Sequence, residues 1–233
     1  MSNNTKSKTI VESCYKQVRA DIVHNVHKPG SKLLISDLRS MYDVGAGPLR
    51  EALSRLAGEG LVIAESQRGF QVSKLSKHEL EDLTHVRVLL ECEALRDSMK
   101  NGDVEWEVNI VAAFHRLTLK EGTEITDFDG WESCNRAFHE SLVAACKSPW
   151  LLRFRAVLYE NLNRYRFLEV NINNDEEHDI YSDGGKNRDI HSEHKAIKDA
   201  VIARDVDRAC EVITEHIMGT LGTNKYIFDD ADH

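Results

Sequence analysis

Apolar positions between residues 34 and 72 follow two different periods in succession. Two stripes at helical spacing come first, Ile35–Met41 and Leu49–Leu56, separated by a Gly-Ala-Gly-Pro break at Gly45–Pro48. Proline suits the first turn of a helix, because its missing N–H would have no intrahelical partner there. Two short β-rich runs follow, Leu61–Ile63 and Phe70–Val72, with polar residues and a glycine between them. The pattern predicts a winged helix-turn-helix.

Residues from 76 onward show only helical periodicity. Ser76–Glu79 forms a capping box that opens a helix running to about Met99. We predict further helices at about 104–120, 128–146, 149–170, 186–203 and 206–221, and a loop in the polar tract 171–189. The fold class is therefore mostly α, with a winged helix-turn-helix at 1–75 and an all-α antiparallel helical bundle at 76–233.

The charge distribution supports this division. The 233-residue chain has a formal net charge of −9, which by itself argues against a nucleic-acid binder. Residues 1–75, however, carry 11 Lys and Arg against 7 Asp and Glu, whereas the remainder carries 19 against 32. A helix-turn-helix presents its second helix to the DNA major groove, and only that part needs to be basic. The alternative is a small packing module with no role in DNA binding.

Two absences indicate the compartment. The chain opens Met-Ser-Asn-Asn-Thr-Lys without an apolar leader, and no apolar run approaches the length of a membrane span. The five cysteines are scattered without CxxC spacing, as expected for buried free thiols rather than a disulfide framework. We expect a cytoplasmic protein with no membrane association.

The winged-helix segment resembles the GntR family of bacterial regulators. The family's core appears as Gly-Pro-Leu-Arg-Glu-Ala-Leu at 47–53, its helix exit as Glu-Gly-Leu-Val at 59–62, and its wing as Arg-Gly-Phe-Gln-Val at 68–72. The resemblance implies a transcriptional regulator, most commonly a repressor, that binds near-palindromic operator DNA as a homodimer. By resemblance, the DNA-binding positions are Ser36, Gly45, Ala46, Gly47, Arg50, Arg68 and Gly69.

Several of these positions depart from the family pattern. Most members carry Arg and Thr where this chain has Ala46 and Gly47, and Ser36 stands about where an Arg often lies. Because Arg is the usual bidentate reader of guanine, base readout should differ here. Arg50 is the expected contact that remains, unless it forms a salt bridge with Glu51 or Glu59.

The second half of the chain resembles the FadR-type C-terminal sensor domain, called FCD. Shared features are Arg-x-x-x-Glu at 87–91, Asn-Arg-Ala-Phe-His at 135–139, and histidines at 194 and 216. An Arg-Tyr-Arg-Phe segment at 164–167 and the form of the recognition helix look closest to the carbon-starvation-induced regulator branch. The resemblance implies a sensor domain and not an enzyme.

Three histidines on three helices make physical sense as a metal site. By resemblance, His139, His194 and His216 would hold one divalent ion, with zinc or nickel as the best match to imidazole ligands. Asn135 replaces the Asp of many metal-binding relatives, which weakens the expected oxygen ligand. Two alternatives remain open: the three are core histidines satisfied by hydrogen bonds, or His191 takes the place of His194.

The same resemblance implies a small carboxylate effector, a dicarboxylate or a hydroxy acid. Arg87, Asn135, Arg164 and Arg166 are the candidate effector-binding residues, because guanidinium pairs bidentately with carboxylate. Arg164 and Arg166 are two positions apart on a helix and cannot both face one cavity. Two other classes stay in view: a metal-dependent hydrolase fused to a DNA-binding domain, and a regulator whose second domain only dimerises.

Overall fold

The computed structural model describes residues 2–65, 69–121, 128–174 and 188–223. Within these ranges the chain forms three short strands and a series of helices. Their bounds are α1 Ser2–Val23, β1 Lys32–Leu33, α2 Ile35–Tyr42, α3 Ala46–Gly58, β2 Val62–Glu65, β3 Gly69–Val72, α4 Lys77–Asn101, α5 Val104–Thr118, α6 Phe128–Leu142, α7 Pro149–Asn174, α8 Ile190–Ile202 and α9 Val206–Thr223. The predicted fold class, a winged helix-turn-helix followed by an all-helical domain, is confirmed.

The chain divides into two compact units. Among the described residues, the first unit contains 2–80 and 159–174, and the second contains 81–158 and 188–223. We refer to residues 2–72 as the head, and to the second unit as the body. The unit boundary falls inside α4 and inside α7, so the C-terminal part of α7 belongs to the same unit as residues 2–80.

The head is built on one aliphatic core. The apolar stripe of α3 supplies Leu49, Ala52, Leu53 and Leu56, all fully buried. These side chains pack with Val18, Ile22 and other residues of α1, α2 and the sheet. The antiparallel sheet has the order β1-β3-β2, with Val62 opposite Val72 in the hairpin. The two-residue strand β1 was not predicted, because two residues are too few to show alternation.

The body packs its helices around a second core. Its buried apolar residues come from α4, α5, α6, α8 and α9, and include Leu95, Ile110, Phe138, Ile197 and Ile213. Side chains of aspartates cap two of these helices, since Asp103 accepts from Trp106 N and Asp189 accepts from Ser192 N. Helix burial on one face against several neighbours is the pattern of a helical bundle.

The helix bounds differ from the prediction mainly around the polar tract. Helix α7 continues to Asn174, four residues into the predicted loop 171–189, and α8 begins at Ile190 rather than near 186. Asn-Ile-Asn-Asn at 171–174 is polar, so its helical state follows from extension of a long helix rather than from its own periodicity. The rest of the predicted loop, 175–187, lies outside the described residues. No helix in the described ranges is long and apolar enough to cross a membrane.

Candidate functional site

Three histidine side chains meet inside the body. His139 of α6, His194 of α8 and His216 of α9 each offer a ring nitrogen, and these nitrogens lie within 4.8 Å of one another. Ring centroids are 4.7 to 5.5 Å apart, and the side chains are 0 to 7% exposed. We call His139, His194 and His216 the histidine cluster. The predicted convergence of these three residues is present in the structure.

Two nitrogens of the histidine cluster are buried without a hydrogen-bond partner in the described part of the chain. These are Nδ1 of His139 and Nε2 of His194. Leaving a buried polar atom unsatisfied costs about 1–3 kcal/mol, so such atoms in a core call for an explanation. A divalent ion fits the cluster, because neutral imidazole nitrogens are its usual ligands and these atoms lack another partner.

Two carboxylates bind the outer nitrogens of two of these rings. Glu121 Oε1 lies 2.6 Å from Nδ1 of His194, and Glu193 Oε2 lies 2.7 Å from Nδ1 of His216. An ionised carboxylate only accepts hydrogen bonds, so in both rings Nδ1–H is the donor. The nitrogen left for a ligand is therefore Nε2 in both His194 and His216.

His191 occupies a different position from the cluster. Its Nδ1 lies 2.9 Å from Glu121 Oε2, and its side chain is 42% exposed. It is one helical turn before His194 and shares the same carboxylate, but it is not among the three converging rings. The structure thus groups His194, rather than His191, with His139 and His216.

Burial keeps two rings of the cluster neutral. Desolvation, with the nearby His194 and Arg188 in support, lowers the pKa of His216 to about 3 despite the opposing hydrogen bond to Glu193. Desolvation and the other histidines also lower the pKa of His139 well below its usual range, and the charges of Arg87 and Arg155 act in the same direction. Only a neutral imidazole has a lone pair to offer, so these rings are in the ligand-competent form at pH 7.

Other polar side chains are buried in the same unit. Arg87 is 3% exposed, and its charge acts on the nearby His139. Asn135 is 2% exposed and donates from Nδ2 to Glu132 Oε2 at 3.3 Å. Arg87 and Asn135, two of the expected effector-binding residues, are therefore in the body together with the histidine cluster.

Arg164 and Arg166 are not part of the body that contains the histidine cluster. Both belong to the first unit, where Arg164 is buried and donates from Nη2 to the carbonyl of Ser73 at 2.5 Å. The Arg166 guanidinium lies over the ring of Tyr159 at 4.9 Å. The expectation that one of them binds the effector together with Arg87 stays a prediction. The contacts of these side chains are a backbone carbonyl for Arg164 and an aromatic face for Arg166.

Residues that the sequence reasoning missed surround the cluster. Arg155 makes a bidentate pair with Glu91 at 2.7 and 2.9 Å, and it also donates to the carbonyl of His139 at 2.9 Å. Arg188 and the carboxylates Glu121 and Glu193 were also missed. An acid one residue before a candidate ligand, as in Glu193-His194, was the one available signal, but charged residues on amphipathic helices otherwise look like a solvated face.

Four of the predicted DNA-binding positions lie at the start of α3. Gly45 precedes the helix as its N-cap, Gly47 and Arg50 are exposed, and Ala46 is partly exposed. Ser36 at the start of α2 is exposed and donates to Asp37. In the wing, Gly69 has a φ of +97°, a conformation that favours glycine. Arg68 lies outside the described residues.

Arg50 is available for contacts outside the chain. It forms no ion pair with any described residue, and Glu59, its expected alternative partner, instead accepts a hydrogen bond from Tyr15 at 2.8 Å and pairs with Arg19. The alternative in which Arg50 is held by Glu59 is therefore wrong. The exposed guanidinium stands in the first turns of the helix that this fold presents to DNA.

Comparison with protein-family models identifies both parts of the chain. Residues 10–72 match the model "Bacterial regulatory proteins, gntR family", and residues 82–219 match the FCD domain. The FCD match alone covers more than half of the 233 residues. The chain belongs to the GntR family of bacterial transcriptional regulators, in the group that carries an FCD domain, and it is a DNA-binding regulator rather than an enzyme.

Similar proteins carry corresponding names. The chain is 40% identical to the "Uncharacterized HTH-type transcriptional regulator BphR" of Paraburkholderia xenovorans, over 92% of this chain and 84% of that protein. It is 34% identical to the "HTH-type transcriptional repressor GlaR" of Escherichia coli, over 88% of this chain and 90% of that one. Among solved structures, E. coli McbR/YncC has the same fold, with a TM-score of 0.74 at 16% identity over 94% of this chain and 98% of that one.

Proposed function

We propose that this protein is a repressor whose operator binding is relieved by a small carboxylate bound at a divalent metal ion in the body. The observation that carries the proposal is the histidine cluster, three buried rings whose ligand nitrogens converge within 4.8 Å. The name of GlaR, a repressor that covers most of this chain at 34% identity, supports the direction of control. A cytoplasmic location belongs to the same proposal, because operator DNA is bound there.

His139, His194 and His216 would hold the metal ion, and zinc or nickel matches their ligand chemistry. The bound ion supplies positive charge and open coordination positions for an anionic ligand. The two carboxylate–histidine pairs and the low pKa of His139 and His216 support occupancy, since they keep the rings oriented and neutral. Asn135 contributes a neutral oxygen ligand at most.

The carboxylate effector would be bound by Arg87 together with the metal site. A buried anion needs paired charge to offset its desolvation. Arg87 is one of two buried cations whose charge acts on His139, and the other, Arg155, pairs with Glu91. A dicarboxylate or a hydroxy acid offers two oxygen groups, one for each positive centre. Arg164 and Arg166 have no part in this proposal, because their contacts lie in the first unit.

Operator binding would use a homodimer and the exposed end of α3. Arg50 provides a guanidinium for a base or a phosphate, and the glycines at 45 and 47 would allow close approach of the backbone.

The body exposes apolar side chains that a second copy could cover. Leu89 of α4 is 68% exposed, and Trp150 of α7 is 62% exposed and stacks on Phe154. Clusters of exposed apolar residues mark association surfaces.

The metal is tested on the purified full-length protein. We expect about one divalent ion per chain by elemental analysis, or uptake of one zinc after chelation with a rise in thermal stability. His194→Ala should lose this uptake, whereas His115→Ala, an exposed histidine of α5 outside the cluster, should retain it. Absence of metal together with no thermal shift on adding zinc, nickel or manganese would exclude the metal site.

The effector is tested by measuring operator affinity against a set of dicarboxylates and hydroxy acids. An active acid should weaken operator binding by about 5- to 150-fold, the range of a coupling free energy of ~1–3 kcal/mol. Arg87→Ala should lose the response and Arg166→Ala should keep it, which separates the two units. If no acid changes the affinity of the wild type, the body is only a dimerisation platform.

Sedimentation at micromolar concentration tests the homodimer, and a monomer would contradict it.

A further inference from the structure

The two carboxylate–histidine pairs of the cluster are built differently. Glu121, three residues after the end of α5, has a side chain that is 5% exposed. It binds two rings, His194 at 2.6 Å and His191 at 2.9 Å. Glu193 binds only His216, and its two oxygens also accept hydrogen bonds from Arg188, both at 2.7 Å. Each carboxylate therefore has a second side-chain partner, which is His191 for Glu121 and Arg188 for Glu193.

Arg188 is seated in a space that a glycine leaves open. Besides Glu193, its Nη2 donates to the carbonyl of His216 at 2.5 Å. A Cβ added to Gly219, one turn after His216 on α9, would lie 2.8 Å from Cζ of Arg188. Any larger residue at 219 would displace the guanidinium. Gly219 thus leaves room for Arg188, and Arg188 donates to Glu193. Glu193 in turn binds the ring of His216.

We propose that Glu121 and the Arg188–Glu193 pair are positioning residues that hold His194 and His216 in the tautomer presenting Nε2 to a metal ion. The inference rests on the proposed metal site. The physical reason is that a carboxylate accepting from Nδ1–H fixes both the protonation of the ring and its rotation, and raises the basicity of the other nitrogen. His139 has no such carboxylate among the described residues, and Arg155 holds it through its backbone carbonyl instead.

A substitution at Gly219 should affect helix stability and the placement of Arg188 in opposite ways. Alanine is a better helix former than glycine, so Gly219→Ala should favour the folded state of α9. The added Cβ would also displace Arg188 and loosen Glu193. The gain in helix propensity and the lost Arg188 contacts act against each other on stability, so we expect a metal-free protein with a heat stability close to that of the wild type. The same variant should bind zinc several-fold more weakly. A merely structural role for Arg188 would not weaken zinc binding in a protein whose stability is unchanged.

The first experiment measures zinc affinity of the full-length protein by competition with a chromophoric chelator. Glu121→Gln and Glu193→Gln should each weaken zinc by about 10- to 100-fold, the usual effect of losing such a partner. Glu215→Gln is the matched control, since it removes an exposed charge beside His216 on the same helix. Arg188→Gln should resemble Gly219→Ala, and combining the two should add little, because both act on the same guanidinium.

The second experiment observes the rings directly in the metal-free protein. Long-range ¹H–¹⁵N NMR correlations of the histidines should show protonated Nδ1 for His194 and His216 in the wild type. Glu121→Ala should change the tautomer of His194, together with that of His191, which shares this carboxylate, and leave His216 unchanged. Glu193→Ala should change the tautomer of His216 and leave His194 unchanged. Wild-type protein that binds no zinc would overturn the metal site and this inference together. Wild-type zinc binding with unchanged affinity in both glutamine variants, or unchanged tautomers in both alanine variants, would overturn this inference alone.

Discussion

The head and the body place their polar residues in opposite ways. In the described part of the head, the buried residues are apolar, and the DNA-binding candidates Ser36 and Arg50 are exposed. In the body, the core itself contains Arg87, Glu91, Asn135, Arg155 and the histidine cluster. The head thus carries its candidate functional groups on the surface, outside its apolar core. In the body, the candidate functional groups are part of the core.

This difference should separate stability from function in the head and couple them in the body. Removing an exposed side chain changes little in the folding equilibrium, while removing a buried polar one leaves its partner unsatisfied. A ligand that binds the core of the body should also stabilise the fold by mass action. The predictions below test this contrast, in order of decreasing effect on the free energy of unfolding.

Breaking the Arg155–Glu91 pair should have the largest effect. Arg155→Met leaves the Glu91 carboxylate, which is fully buried, without its main partner, and should cost about 3–5 kcal/mol in urea unfolding. Adding Glu91→Leu should recover most of the loss, since an apolar pair needs no charge compensation. Arg208→Met, which breaks the exposed pair with Glu211, is the control and should leave the unfolding midpoint nearly unchanged. Equal losses of stability in Arg155→Met and Arg208→Met would contradict the expected difference between buried and exposed ion pairs.

The metal-free protein should lose stability in mild acid because of the histidine cluster. Folding lowers the pKa of His216 to about 3, so below its unfolded value of about 6.5 the unfolded state binds the extra proton. Stability is complete above pH 6.5 and falls as the pH drops towards 3, by about 2 kcal/mol at pH 5 for this ring. His139 acts in the same direction.

His216→Gln isolates that contribution from the rest of the chain. The pKa of His27 in the head is also lowered, by burial and against the charge of Asp21, so the wild-type curve includes it. Urea unfolding at pH 7 and pH 5 in the presence of a chelator should show a smaller pH effect in the variant. The same pH dependence in both proteins would mean that folding does not shift the pKa of His216.

Asn135→Asp should have an intermediate effect on stability, and its size should depend on metal. The substitution removes the donor to Glu132 and places two buried carboxyl groups together, which should cost about 1–3 kcal/mol without metal. With zinc the loss should shrink, since the new carboxylate adds a charged ligand near the ion. Unfolding measured with chelator and then with zinc gives both values. An identical loss in both conditions would show that residue 135 points away from the ion.

Arg50→Ala should have the smallest effect on stability and a clear one on DNA. We expect an unfolding free energy within about 0.5 kcal/mol of the wild type, because the side chain is exposed and has no ion pair among the described residues. Operator affinity should fall by about 1–3 kcal/mol. Anisotropy titration measures it, with Arg96→Ala on α4 as an exposed control that should bind normally. Unchanged operator affinity would remove Arg50 from the interface.

Local patterns in the sequence were sufficient to predict most elements of the head. The change from helical spacing to short β runs predicted α2, α3 and the hairpin, and the Gly-Ala-Gly-Pro break predicted where α3 begins to within two residues. Each of these elements is defined by its neighbours in the chain, through periodicity and turn chemistry. The pattern of residues 34–72 does not extend to α1, and β1 was missed because its two residues gain strand structure solely by pairing with β3.

Residue identity at three separated positions was sufficient to predict the histidine cluster. It was not sufficient to predict the charged side chains that contact the cluster. The family resemblance led to His139, His194 and His216 because histidines at those positions belong to a recognisable motif. Arg164 lies in an equally recognisable segment, yet its guanidinium binds the Ser73 carbonyl, 91 positions away in the chain. Which way a residue of a 26-residue helix points, and towards which partner, depends on packing that periodicity does not encode.

The sequence by itself determined the order of elements, the two-part organisation, the family and the three rings of the cluster, since these depend on local spacing and on motifs. Tertiary structure alone decided that Glu121 and Glu193 bind the outer ring nitrogens, that Arg155 pairs with Glu91 across 64 positions, and that Gly219 makes room for Arg188. The physical reason is that a charged residue on an amphipathic helix has the same pattern whether it faces water or a buried partner. Only the packing of one helix against another distinguishes the two.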